Sequence, residues 1–173
     1  MQIELVGLGR PIARNDVQPG QLLSAAIDKE TTILALAVTP DGGHEGNLQA
    51  VVLEQWGGTE TDRPRVLTLS SLGHNLVLLE PSRVTLQPPS DAAHFMVPRR
   101  AIAIQHGDLV VMEDGTPCIA TGSTHNPDFF ALTTGRWTAR SDRIAVYQEW
   151  RMVLHAGDLA SWTIHFPDND LED

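Results

Sequence analysis

Three groups of side chains in this 173-residue chain have the types needed for chemistry. The first is Asp41, His44 and Glu45, inside the glycine-rich run PDGGHEGN at 40–47. Carboxylates and a neutral imidazole are ligands for a divalent metal. The surrounding glycines leave such ligands without the supporting contacts a good site needs, so a solvated turn competes with the metal reading. The second group is Ser123, Thr124, His125, Asn126 and Asp128, gathered around Pro127. Short polar side chains of this kind bond to nearby backbone and stabilise a turn. They could also line a polar ligand mouth if both runs lie at the same end of the fold. The 123–128 run is the expected ligand-binding site, and 41–45 the expected metal site.

The third group is Cys118 with a histidine, arranged for thiolate chemistry. A reactive thiolate needs an electropositive, accessible setting. Cys118 instead lies between Pro117 and Ile119, near Glu113 and Asp114, where a small buried hydrophobe is the better reading. His165 and Asp168 near the C-terminus could hold a cation, but a solubilising acidic tail explains them as well. The tryptophans at 56, 137, 150 and 162 could form a binding platform; their places along strands suit core residues better.

No phosphate loop, paired-cysteine site, HExxH or GxSxG pattern is present. Gly7-Leu8-Gly9 lacks the third glycine, opening a helix, that a dinucleotide loop requires. A single cysteine excludes an intramolecular disulfide and any cysteine-rich zinc site. No catalytic residue and no cofactor is assigned. The formal charge is −10, and the basic residues form only the small pairs Arg63/Arg65 and Arg99/Arg100, so nucleic acid is not an expected partner. The opening residues MQIELVGLGR lack the basic and apolar regions of a signal peptide. The longest strongly apolar run, 33–38, is too short to cross a bilayer. These features lead to a cytoplasmic location with no membrane partner.

The elements that would position these groups are strands. Asp-Gly at 114–115 follows the β-branched run 109–113 and predicts a two-residue hairpin loop. The return strand is expected over 116–122, a polar loop over 123–128, and a third strand over 129–134. On either side, strands are expected at 2–6, 21–27, 31–38, 48–55, 65–69, 75–79, 83–86, 143–154 and 158–166. The 21–27 run also places Leu22, Leu23, Ala26 and Ile27 on one helical face; the Pro-Gly lead-in at 19–20 favours a strand. The run 7–11 is expected to break the first strand.

These strands predict a mainly β protein of two small antiparallel barrel-like or sandwich units. The N-terminal unit covers 1–88 and the C-terminal unit 99–166. Residues 89–98 form a linker with a short helical turn through Ala92, Ala93 and Phe95, and 167–173 form an acidic mobile tail. Gly-Gln-Leu-Leu at 20–23, Gly-Asp-Leu-Val at 107–110 and Gly-Asp-Leu-Ala at 157–160 suggest an internal repeat. In it, the Arg-Val-Leu-Thr-Leu of 65–69 pairs with the Arg-Ile-Ala-Val-Tyr of 143–147. Scattered rather than clustered polar groups favour a non-catalytic binding or assembly module that takes a protein partner or self-associates as an oligomer; its small-molecule ligand is unassigned. The alternative is a small β-barrel enzyme, hydrolytic or metal-assisted, using His125 and Asp128 with His44.

Overall fold

The computed structural model describes residues 9–40, 47–58, 65–87, 104–123, 126–138, 143–157 and 160–166. Within them the first strands are β1 (Gly9–Ile12), β2 (Leu22–Ala26), β3 (Thr32–Val38), β4 (Gln49–Trp56), β5 (Val66–Thr68), β6 (Leu76–Leu79) and β7 (Arg83–Gln87). They are followed by β8 (Leu109–Met112), β9 (Pro117–Ser123), β10 (Asn126–Ala131), β11 (Trp137–Thr138), β12 (Arg143–Tyr147), β13 (Trp150–Ala156) and β14 (Ala160–Phe166). Short 3-10 turns at Arg14–Asp16 and Leu69–Ser71 are the only helical pieces among the described residues. None of these is long and apolar enough to cross a membrane.

The protein is mainly β, and every ladder between named strands is antiparallel. Six strands form one sheet in the order β1-β6-β2-β3-β4-β5. Five form a second, β11-β10-β9-β8-β12, and three a third, β14-β13-β7. Among the described residues each order runs from one edge to another, so the expected antiparallel units hold as sheets that share buried cores, and no barrel is closed.

The continuous apolar run of β3 is explained by burial on both faces. Leu34, Leu36 and Val38 face a central core shared with the second and third sheets, including Leu109, Ile119, Phe130, Met152 and Ile164. Ile33, Ala35 and Ala37 face an outer core with Leu23, Val52 and Leu76. The second sheet has its own outer core around Val110, Cys118 and Phe129. A strand covered on both sides loses the polar alternation of a half-exposed one.

The first two sheets repeat one wiring diagram. Strand β6 lies beside β2 as β12 lies beside β8, and β2-β3-β4-β5 follows the same path as β8-β9-β10-β11. The correspondence reaches single bonds. The Gly20 N–H donates to Ala37 O at 2.8 Å, and the Gly107 N–H to Ala120 O at 2.9 Å. The Gln18 N–H donates to Gln21 Oε1 at 2.9 Å, and the Gln105 N–H to Asp108 Oδ2 at 2.7 Å. The Val52 N–H donates to Arg65 O at 2.8 Å, and the Ala131 N–H to Arg136 O at 3.0 Å.

From each of these sheets the chain crosses into the third. Leu79 pairs with Leu22 as Tyr147 pairs with Leu109, and four residues after each comes an arginine, Arg83 or Arg151. Strands β7 and β13, which begin the third sheet, pair with each other. Arg83 faces His155, Gln87 faces Arg151, and the register is symmetric about Thr85↔Val153.

Several local expectations are corrected. Gly9, Arg10 and Pro11, expected within a break over 7–11, belong to β1; Pro11 is accommodated because β1 is an edge strand among the described residues, where a missing N–H is tolerated. The Asp-Gly hairpin has a three-residue loop rather than two. The Gly115 N–H donates to Met112 O at 2.9 Å and the Met112 N–H to Thr116 O at 3.0 Å, and only Gly115 has a positive φ. The expected strand 143–154 is two strands, β12 and β13, in different sheets. The expected matching of 65–69 with 143–147 is not the one the sheet order gives: β12 lies beside β8 as β6, not β5, lies beside β2. The 2–6 strand, the 92–95 helical turn and the 167–173 tail lie outside the described residues.

Candidate apolar cavity between the sheets

A cavity of about 620 Å³ opens where the three sheets meet. Strands β2, β3 and β6 contribute Leu22, Leu36 and Leu79 to its wall, held by the β2–β3 and β2–β6 ladders. Strand β7 contributes Val84 and Leu86, and β13 contributes Met152. The far side comes from the second sheet, through Pro117 and the turn residues Leu132 and Thr133. That turn is seated against the first sheet: the Thr39 N–H donates to Gly135 O at 2.8 Å, and the Trp137 N–H to Thr39 O at 3.1 Å.

Polar groups are few. Gln21 and Glu80 line the cavity, and Glu80 is engaged with Arg10 at 3.1 Å in an exposed ion pair. The arrangement suits an apolar group held by shape and hydrophobic contact. Among the described residues, no three His, Cys, Asp or Glu side chains come together to hold a metal. A second hollow of about 560 Å³ lies at the end of the β2–β3 hairpin, beside Asp28, Thr31, Gln55 and Arg65. Its groups are bound to one another: Asp28 accepts from the Glu30 and Thr31 N–H groups, each at 2.8 Å, and Arg65 donates to Gln55 at 3.0 Å. The Glu30 N–H bond, with the Thr31 bonds, holds the Asp28 carboxyl below its usual range.

The residues singled out from sequence fall elsewhere. Asp41, His44 and Glu45 lie outside the described residues, as do Thr124 and His125. Ser123 and Asn126 face each other where β9 and β10 join. Asn126 and Asp128, expected in a loop, are in β10. Asp128 is exposed and accepts from Trp137 Nε1–H at 3.1 Å, a contact that fixes the Trp137 ring. Cys118 is buried, and burial pushes its thiol up to about 11. A thiol so protected is a core group and not a nucleophile.

The tryptophans serve the interior and the sheet edges. Trp150 is 2% exposed, stacks on Phe166 with centroids 4.2 Å apart, and donates through Nε1–H to Gly107 O at 2.7 Å. Trp56 meets Trp162 edge-on at 5.0 Å, and Trp162 Nε1–H donates to Glu54 at 2.8 Å. Asp108, beside the Trp150 contact, is 2% exposed, and burial raises its carboxyl to about 6 against the opposing Gln105 N–H bond.

Sequence reasoning passed over the cavity because its lining is aliphatic and comes from distant stretches. The usable signal was Arg-Val-Thr-Leu-Gln at 83–87 against Arg-Met-Val-Leu-His at 151–155. Aligning those runs sets Ser82 opposite Trp150 and leaves one half without its large filler. Compared with protein-family models, curated proteins and solved structures, the chain matches none.

Proposed function

We propose that this protein is a non-catalytic cytosolic binding module built from two related β units, and that its ligand enters the apolar cavity between them. The cavity carries this reading: about 620 Å³ of space with a mostly aliphatic wall and few polar groups to fix orientation. The paired hydrogen bonds at Gly20 and Gly107, and the symmetric β7–β13 register, support an internal duplication.

A thermal-shift screen of the intact chain tests the reading, using indole, short fatty acids and aliphatic alcohols as probes. A probe at one hundred times its dissociation constant should add about 2.7 kcal/mol. Val84→Lys places a charge at the cavity wall on a residue already 44% exposed, and should remove the shift while leaving the fold intact. A shift that persists in Val84→Lys, or no shift with any apolar probe, overturns it.

A further inference from the structure

The three sheets differ in what covers their outer faces. The first has an outer core around Leu23, Val52 and Leu76, and the second has one around Val110, Cys118 and Phe129. Among the described residues the third has none. Its inward side chains, among them Leu86, Met152, Leu154 and Ile164, belong to the central core. The alternate positions of β7, β13 and β14 therefore point away from that core.

That outward face is basic in a chain of formal charge −10. None of the three strands contains an aspartate or glutamate. The cations come in two cross-strand pairs: Arg83 lies opposite His155, and Arg151 opposite His165. Arg83, Arg151 and His165 are exposed, and His155 is partly buried with its Nε2 3.3 Å from Thr85 Oγ1. Among the described residues neither arginine side chain makes an ion pair or a hydrogen bond. Basic groups set directly opposite one another, with no carboxylate between them, are unfavourable neighbours whenever the imidazole carries a proton. An anion placed at each pair turns that repulsion into charge-assisted contacts. The two pairs are about 13 Å apart, because Arg151 and His155 are separated by four residues along β13. Between them lies Val153, 7% exposed and flanked by Thr85 and Thr163.

We propose that this face binds an acidic segment of a partner protein, laid in extended form along β13, with two carboxylates four residues apart. Such a segment rises about 13 Å over that span, which matches the separation of the two Arg–His pairs. The residues between the carboxylates are small and polar, and they lie over Val153 and the hydroxyls of Thr85 and Thr163. The charge pattern selects a short acidic segment over nucleic acid. A dense polyanion needs an extended positive field, and the chain as a whole is strongly negative. This surface lies on the opposite side of the third sheet from the apolar cavity, which Val84, Leu86 and Met152 line from within. The two sites are occupied independently.

The test uses the intact chain and a rhodamine-labelled peptide, Gly-Asp-Ser-Gly-Ser-Asp-Gly, followed by fluorescence anisotropy. Saturable binding is expected at low salt and should fade as salt rises from about 20 mM to about 300 mM, because exposed charges are screened. Replacing both Asp residues of the peptide with Asn should abolish it. Arg83→Gln and Arg151→Gln should each weaken binding about fivefold, as loss of one exposed ion pair does. Arg136→Gln, at an exposed arginine of the second sheet's turn, should leave it unchanged. An unchanged melting temperature in all three variants checks that they fold. No binding of the peptide, or equal weakening in Arg136→Gln, overturns the proposal. Three further outcomes also overturn it. A short oligothymidylate that binds more tightly than the peptide, and loses affinity in the same two variants, assigns the face to nucleic acid. Peptide binding that appears only after residues 167–173 are removed assigns it to the chain's own acidic tail. A mass that doubles with protein concentration, and returns to the monomer in Arg151→Gln, assigns it to a second copy. None of these outcomes touches the cavity, whose apolar probes should bind Arg151→Gln as they bind the parent.

Discussion

The turns at 18–23 and 105–110 carry the same backbone bonds, but one is closed by the neutral amide of Gln21 and the other by the carboxylate of Asp108. Gln21 is partly buried beside the open cavity, whereas Asp108 is buried in the half that Trp150 fills. Two turns with the same bonds thus sit in different dielectric settings. In the C-terminal half a large aromatic excludes water and leaves a carboxyl poorly solvated. In the N-terminal half the space stays open and an uncharged acceptor does the same structural work. Filling a site with side chain excludes water from it, and leaving it unfilled leaves the space that the proposed ligand would take.

The sharpest way to break this comparison is Trp150→Ala. It removes a buried, stacked and hydrogen-bonded ring, so urea unfolding should show a loss of about 3–5 kcal/mol. Ser82→Ala, at the matching position, should cost about 1 kcal/mol or less, because Ser82 is exposed and loses only hydrogen bonds.

Next in size is Gly135→Ala against Gly115→Ala. Both glycines have positive φ, 63° and 83°, where a side chain costs about 1–2 kcal/mol. A Cβ on Gly135 would also drive into Ala37 O and Gly20 N, while one on Gly115 meets nothing within 4 Å. Gly135→Ala should therefore destabilise by clearly more than Gly115→Ala in the same assay, because it pries the two halves apart.

The turns themselves respond to pH. Asp108 is raised from 3.8 to about 6, chiefly by burial, so the folded state binds its proton more tightly than the unfolded chain does. Its favourable contribution is complete below about pH 4 and is lost as the pH rises through about 6. Asp108→Asn keeps an acceptor for the Gln105 N–H without the charge. Its stability relative to the parent should rise between pH 4 and 7, and the urea midpoints of the two proteins across that range check this. Gln21→Ala removes one peripheral hydrogen bond and, like Ser82→Ala, should cost about 1 kcal/mol or less, with no pH dependence.

Much of the strand content was legible in the sequence because turn chemistry is local. Asp-Gly at 114–115 and Pro-Gly at 19–20 mark reversals through the conformational freedom of glycine, and the β-branched run of β3 announces burial on both faces. What was not legible depends on partners far along the chain. Nothing within 143–154 says that Tyr147 belongs to one sheet and Trp150 to another, because the apolar pattern continues across both. Pro11 reads as a breaker until it is known to lie on an edge. Asn126, Pro127 and Asp128 read as a loop, although the hairpin they belong to turns earlier, and Asp128 is used by Trp137. The cavity was invisible for the same reason: Leu22, Leu86 and Met152 look like any core residues until the place corresponding to Trp150 is found to hold Ser82.

The burial of Cys118 has a practical consequence. It is the single thiol in the chain, it sits in the outer core of the second sheet, and its raised pKa keeps it protonated at neutral pH. A thiol-directed dye can then react only when that sheet opens, so its labelling rate clocks local unfolding of one half alone. Tryptophan fluorescence, with reporters in both halves, averages over the whole molecule. Set side by side, the two signals would tell whether the halves come apart together or one after the other.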